Sequence, residues 1–240
     1  MESTYFRPIQ KKNEILQLLD RIQGINPRRL CEIGAAGGGT LSLLTHVANP
    51  NAELFSIDIG YSPEWMAAIE SFAREDQTVN CCALDSHDPQ TVETLRQMLQ
   101  GTQLDVLFID GDHSLDGVRQ DFLTFAPLVR KDGIIAFHDI VSDYSTRFGI
   151  ETGQYTGDVP QFWARLRTFY PSTEELIEDV GQDGYGIGVM EWPGKFHDTN
   201  VLRTPTTGLF PEGITHWGSV AVTRGPIKGR FDSSHNDHAQ

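Results

Sequence analysis

The stretch Leu104-Asp105-Val106-Leu107-Phe108-Ile109-Asp110-Gly111-Asp112-His113 holds a short apolar run, Val106–Ile109, that stops abruptly at Asp-Gly. Consecutive β-formers over so few positions predict a central strand buried on both faces and ended by a turn. Asp110, Asp112 and His113 crowd its exit. Downstream the design repeats: Gly133-Ile134-Ile135-Ala136-Phe137 ends in His138-Asp139. A helix is expected between them over Leu115–Val129. Strand, helix, strand predicts a right-handed parallel crossover. Both polar clusters then emerge at the carboxyl ends of neighbouring strands, where open α/β sheets bind their ligands. Asp110, His113, His138 and Asp139 are thereby expected to meet.

Moving outward, the upstream chain alternates the same two element types. Arg29–Ile33, Ala52–Ile57 and Thr78–Leu84 read as strands, and Thr40–Ala48, Pro63–Ala73 and Asp88–Leu99 as helices. Pro63 and Pro89 suit a first helical turn, and Asp88 suits an N-cap. Ile15, Leu18, Leu19 and Ile22 give Ile9–Ile22 helical spacing, closed by Gly24 and Pro27. Beyond the core strands, Ile140–Asp158 is a long polar connection of the kind that forms lids or binding loops. Val159–Tyr170 reads as a helix with Phe162 and Trp163 toward the core, and Glu174–Val180 with Tyr185–Trp192 as an antiparallel edge pair. The expected fold is α/β: a Rossmann-like, doubly wound, mainly parallel seven-stranded sheet with an antiparallel edge strand and helices on both faces. It forms one domain over 1–240, with a helical extension at 1–28, the core at 29–192 and an irregular tail at 193–240.

Composition narrows the function classes. The formal net charge of −14 leaves no basic stripe for nucleic acid. Hydrophobic content of 39% with 22% charged residues is that of a soluble globule, and no apolar run is long enough to span a membrane. Cys31 and the vicinal pair Cys81–Cys82 form neither a disulfide framework nor a zinc spacing, so reduced thiols in a cytoplasmic protein are expected. The pair should be buried in its strand, and His87 should be a loop residue rather than a ligand. Asp112 suits a cap for the helix after it. The expected partner is a small molecule, with neither nucleic acid nor membrane; association of identical copies is left open.

The turn Gly34-Ala35-Ala36-Gly37-Gly38-Gly39-Thr40 needs glycine where backbone passes close to a ligand, and the helix beyond offers free N–H groups. Two templates fit. A dinucleotide fingerprint finds alanine at its third position. The pattern acid-x-Gly-x-x-x-Gly is met in full by Glu32, Gly34 and Gly38. Asp58, ending the second strand, suits ribose hydroxyls under either.

In order and spacing, Arg29–Trp192 resembles the class I S-adenosylmethionine-dependent methyltransferases. CEIGAAGGGT looks like their first motif and LFSID their second; FIDGDHS and FHDI resemble the metal-dependent small-molecule O-methyltransferases, close to the macrolide-sugar and cephalosporin-hydroxylase-like group. The resemblance implies that Glu32, Gly34, Gly38 and Thr40 hold the methionine end of S-adenosylmethionine, Asp58 its ribose, and Asp85 and Ser86 its adenine. It implies a divalent metal on Asp110 and Asp139 with His138 at the third position, and His113 as catalytic base, with Asp110 serving cofactor, metal and catalysis alike. Relatives usually carry a carboxylate where His138 stands. Mg²⁺ is the expected ion, with Mn²⁺, Fe²⁺ or Zn²⁺, which imidazole favours, as alternatives. The implied reaction is metal-assisted O-methylation of a vicinal diol, sugar or phenol. A metal-independent methyltransferase of the same fold and a nicotinamide-linked oxidoreductase are the alternatives.

Overall fold

A computed structural model of the chain describes residues 6–74 and 76–197. The tail expected at 193–240 lies, from 198 onward, outside the described residues. Within them seven strands form one sheet: β1 (Arg29–Ile33), β2 (Glu53–Ile57), β3 (Thr78–Cys82), β4 (Leu104–Ile109), β5 (Val129–His138), β6 (Thr173–Leu176) and β7 (Ile187–Glu191), in the order β3-β2-β1-β4-β5-β7-β6. The first five pair in parallel, while β7 runs antiparallel to both β5 and β6. The order turns back between β1 and β4, so the crevice at their carboxyl ends is where a ligand is expected.

Strand residues alternate between two apolar layers. Leu30, Val106 and Phe108 pack with helices α1 (Lys12–Gly24), α2 (Gly39–Val47) and α3 (Pro63–Glu70). Cys31, Ile33, Leu107 and Ile109 pack with α4 (Pro89–Leu99), α5 (Leu115–Phe125) and α7 (Val159–Phe169). Both faces are covered, which is why β4 carries no polar alternation. Phe122 of α5 is fully buried amid Phe137, Phe162, Tyr170 and Trp192. Phe162 and Trp163 are core residues, as expected.

Local chemistry sets the helix ends. Ser62 and Asp88 cap α3 and α4, each followed by proline at a first-turn position. Ser114, not Asp112, caps α5 by accepting from the Gly117 N–H; Asp112 instead accepts from the Ser114 N–H. The helix α5 ends at Phe125, four residues before the expected Val129. Pro127 cannot donate to the helical ladder, so the chain tightens into a 3₁₀ turn over Ala126–Leu128. The strand β5 starts at Val129 rather than Gly133, with its pairing to β4 shifting register between Leu104 and Val106. The exposed Lys131 and Asp132, the latter at φ 59°, carry that irregularity and hide the strand from a hydrophobicity pattern. Cys81 and Cys82 are half-buried rather than buried, because β3 is the sheet's edge. The long connection contains a short helix, α6 (Tyr144–Phe148).

The start of α1 is tied down by a buried carboxylate. Glu14 accepts from the backbone N–H of Glu178 (3.0 Å) and Gly186 (2.9 Å) and from the Gln182 amide (2.7 Å). The segment before α1 is thereby led across the crevice.

Candidate active site

The first wall of the crevice is the glycine turn between β1 and α2. Gly34 has φ +80°, and a Cβ there would stand 2.0 Å from the Asp110 carbonyl oxygen. Only glycine lets the end of β1 lie against the end of β4. Gly38 caps α2 at φ +75°, with the Ile69 side chain 2.9 Å from where a Cβ would sit. Asp58 braces this turn, its carboxylate accepting from the N–H groups of Ala36 (2.8 Å) and Gly60 (2.7 Å).

A cleft opens beside the turn. Glu32, Gly34, Gly37, Thr40 and Asp110 line it, with Arg7–Gln10 crossing on the other side. Glu32 is buried, and its Oε2 has no hydrogen-bond partner among the described residues. Burial, then the carboxylates of Asp110 and Asp58, push its carboxyl well above the usual range. A buried acceptor without a donor, in a cleft whose backbone is pared to glycine, fits the cationic amino end of S-adenosylmethionine. Gly38 and Asp58 shape the turn without lining the cleft, and Asp85 and Ser86 also lie outside its lining, on the loop after β3. There Asp85 accepts from the His87 N–H at 2.9 Å.

The second wall is a ring of alternating acids and imidazoles at the ends of β4 and β5. The Asp110 Oδ1 lies 3.5 Å from His113 Nε2 and 3.3 Å from His138 Nδ1. The Asp139 Oδ2 lies 3.5 Å and 3.3 Å from the same two atoms. All four expected residues therefore meet. The group whose ligand atoms all fall within 4.8 Å of one another is Asp110, His113 and Asp139. His138 stands behind it, 4% exposed, its Nδ1 facing both carboxylates and its Nε2 buried without a partner among the described residues. His113, expected as the base, thus joins Asp110 and Asp139 in a group that could share an ion, while the His138 Nδ1 lies 3.3 Å from both carboxylates.

The His113 Nδ1 lies 3.1 Å from the Tyr155 carbonyl oxygen, which can only accept. Nδ1 therefore donates to it, which leaves Nε2 as the nitrogen that faces the two carboxylates. A ligating histidine is held in this way by its other nitrogen. Asp139 sits at φ +60°, the left-handed region that glycine, asparagine and aspartate adopt most readily, and its Oδ1 accepts from the Tyr185 N–H at 3.2 Å. Burial pushes the Asp110 carboxyl up, but the two imidazoles outweigh it and its net shift is downward. Burial pushes both imidazoles down, yet Asp110 and Asp139 outweigh it, so His113 is net raised and His138 strongly so.

Three participants escaped the sequence. Gln10 bridges the two walls, its amide accepting from Thr40 Oγ1 (2.8 Å) and donating to Asp110 Oδ2 (3.4 Å). Tyr155 fixes His113. Asp121, fully buried on α5, lies 3.4 Å from His87 Nε2, so His87 has an acidic partner despite its loop position. Sequence spacing signals none of these contacts, which join residues far apart along the chain.

Residues 31–140 match the family model described as a methyltransferase domain. No curated protein matches the chain. Among solved structures, the chain is similar to the O-methyltransferase from Bacillus cereus in complex with SAH, at TM-score 0.54 and 16% identity over 77% of this chain and 84% of that one. It is also similar to the O-methyltransferase TomG from Streptomyces achromogenes, involved in tomaymycin synthesis and solved with SAM, at TM-score 0.51 and 16% identity over 75% and 79%. At these identities the structural likeness is one of fold.

Proposed function

We propose that the chain, whose residues 31–140 match the model of a methyltransferase domain, is a class I S-adenosylmethionine-dependent enzyme that methylates a hydroxyl of a small chelating acceptor with the help of a divalent cation. The acceptor class is a vicinal diol, sugar or phenol. The carrying observation is that Asp110 belongs to both walls: it lines the cleft and supplies one corner of the Asp110/His113/Asp139 group. A reacting oxygen held at that group would therefore sit beside the cofactor's methionine end. The match to a methyltransferase domain supports methyl transfer over the nicotinamide reading.

The residues fit both groups. Glu32, Gly34, Gly38 and Thr40 would hold the methionine end, and Asp58 keeps lone pairs free for ribose. Asp110, His113 and Asp139 would hold the cation, with one nitrogen and two oxygen donors. That donor set suits Mn²⁺, Fe²⁺ or Zn²⁺ and admits Mg²⁺. When bound, such an ion lowers the pKa of a chelated hydroxyl and fixes its aim. The chain's own part is orientation. His138 braces both carboxylates from behind, Tyr155 fixes the His113 tautomer, and Tyr185 pins Asp139. Placing two reactants correctly can lower a barrier by roughly 7–11 kcal/mol in the best model systems.

A second reading dispenses with the ion. The His113 side chain is 19% exposed at the rim, and its flanking carboxylates raise its basicity. It could then take the acceptor's proton itself. Turnover of a vicinal-diol panel with labelled S-adenosylmethionine, before and after chelator treatment, tests the proposal. Methylation restored by added Mn²⁺ or Mg²⁺ supports the cation; turnover indifferent to chelation supports His113 as base. No transfer to any hydroxyl would reject both.

A further inference from the structure

We propose that Gln10 is a positioning residue for the metal group, acting from a strap laid over the cleft. The inference rests on the cation assigned to Asp110, His113 and Asp139. Three observations carry it. First, the two oxygens of Asp110 have different tasks. Oδ1 faces His113 and His138, while Oδ2 receives the Gln10 amide at 3.4 Å. A ligating carboxylate is oriented by what binds its other oxygen, and among the described residues Gln10 is the side-chain donor that does so. Second, the same amide is held from the opposite side, because its Oε1 accepts from Thr40 Oγ1 at 2.8 Å. A glutamine clamped at both ends is an aimed group rather than a swinging one. The contact links the expected methionine end of the cofactor to the metal carboxylate.

Third, the strap is built in. Phe6 packs its ring against Phe72 (4.9 Å, edge-on) and Trp65 (5.5 Å). Arg7 and Pro8 then pass so close over α2 that a Cβ on Gly39 would stand 2.3 Å from Arg7 C and Pro8 N. The glycine at 39 is therefore a seat for the strap, distinct from the positive-φ requirement at Gly34 and Gly38. Beyond Gln10 the chain enters α1, which Glu14 anchors. Both ends of the strap are thus fixed, and Gln10 has little freedom to leave Asp110.

The test is Mn²⁺ titration by calorimetry on the full chain. Gln10→Ala should weaken Mn²⁺ binding about 10–100-fold, the usual effect of removing a partner behind a metal ligand, with an unchanged melting curve. Gly39→Ala should act in the same direction by lifting the strap, although it leaves every polar contact's side chains in place. A Gln10→Ala protein that binds Mn²⁺ within twofold of wild type, while Asp139→Asn loses it, would overturn the role of Gln10 and leave the metal group standing. If the wild-type chain binds no Mn²⁺, the cation assignment fails and this inference fails with it.

Discussion

His113 and Tyr155 are joined twice. The imidazole Nδ1 meets the tyrosine carbonyl at 3.1 Å, and the two rings lie stacked 5.9 Å apart with 14° between their planes. The contact fixes which nitrogen of His113 faces the acids, so the loop after β5 sets the chemistry at the end of β4.

Replacing His113 by alanine removes the nitrogen donor. Turnover should fall about 10²–10⁴-fold, the range expected when a group acting on the proton or its chelated oxygen is lost. Mn²⁺ affinity should fall in parallel while S-adenosylhomocysteine affinity stays within twofold, as calorimetry can read. Unchanged Mn²⁺ affinity with the same loss of turnover would assign His113 as base instead.

Gly157 reaches the same histidine without being one of the candidate groups. Its φ is +54°, and a Cβ would come 2.4 Å from the His113 carbonyl oxygen, which accepts from the Asp158 N–H at 2.8 Å. Gly157→Ala should displace His113 and lower turnover at least tenfold, with the cofactor affinity retained. A crystal structure of that variant with His113 unmoved and activity intact would remove the loop from this role.

Asp139 combines charge with a left-handed backbone, so two substitutions separate them. Asparagine tolerates φ near +60°, whereas alanine there costs about 1–2 kcal/mol. Asp139→Asn should abolish Mn²⁺ binding with little change in melting temperature, and Asp139→Ala should lose both. Metal affinity preserved in Asp139→Asn would show that the carboxylate is not a ligand.

Glu32 gives a pH signature. Its carboxyl is raised in the folded state by burial first, then by Asp110 and Asp58. The folded chain therefore holds a proton that the unfolded chain releases in the ordinary carboxylate range. Its favourable contribution is complete below that range and is lost as pH rises toward the raised folded value. Melting temperature of the cofactor-free protein should fall with rising pH across this window, and Glu32→Gln should flatten the slope. The same variant should bind S-adenosylhomocysteine at least tenfold more weakly. A slope unaltered in Glu32→Gln would remove this carboxyl as its source.

Period and punctuation make part of this architecture legible in the sequence. Val106–Ile109 ended by Asp-Gly, and Ile134–Phe137 ended by His138-Asp139, place two strand tips and hence a crevice. Strand β5 reads too short because Arg130, Lys131 and Asp132 are polar where the sheet has an irregularity. The candidate residues converge, but their division of labour depends on ring orientation. His138 stands first in line by spacing, yet it is buried, while His113 is turned to the rim by Tyr155. Gln10 carries no signal at all: a glutamine ahead of a helix gains meaning only once folding sets it against Asp110.

The most direct test of the shared coordination group is electron spin echo spectroscopy of Mn²⁺ bound to the chain in the presence of S-adenosylhomocysteine. One bound ion showing imidazole nitrogen modulation, lost in His113→Ala and kept in His87→Ala, is the predicted result. Mn²⁺ that binds without nitrogen coupling, or with coupling indifferent to His113, would contradict it.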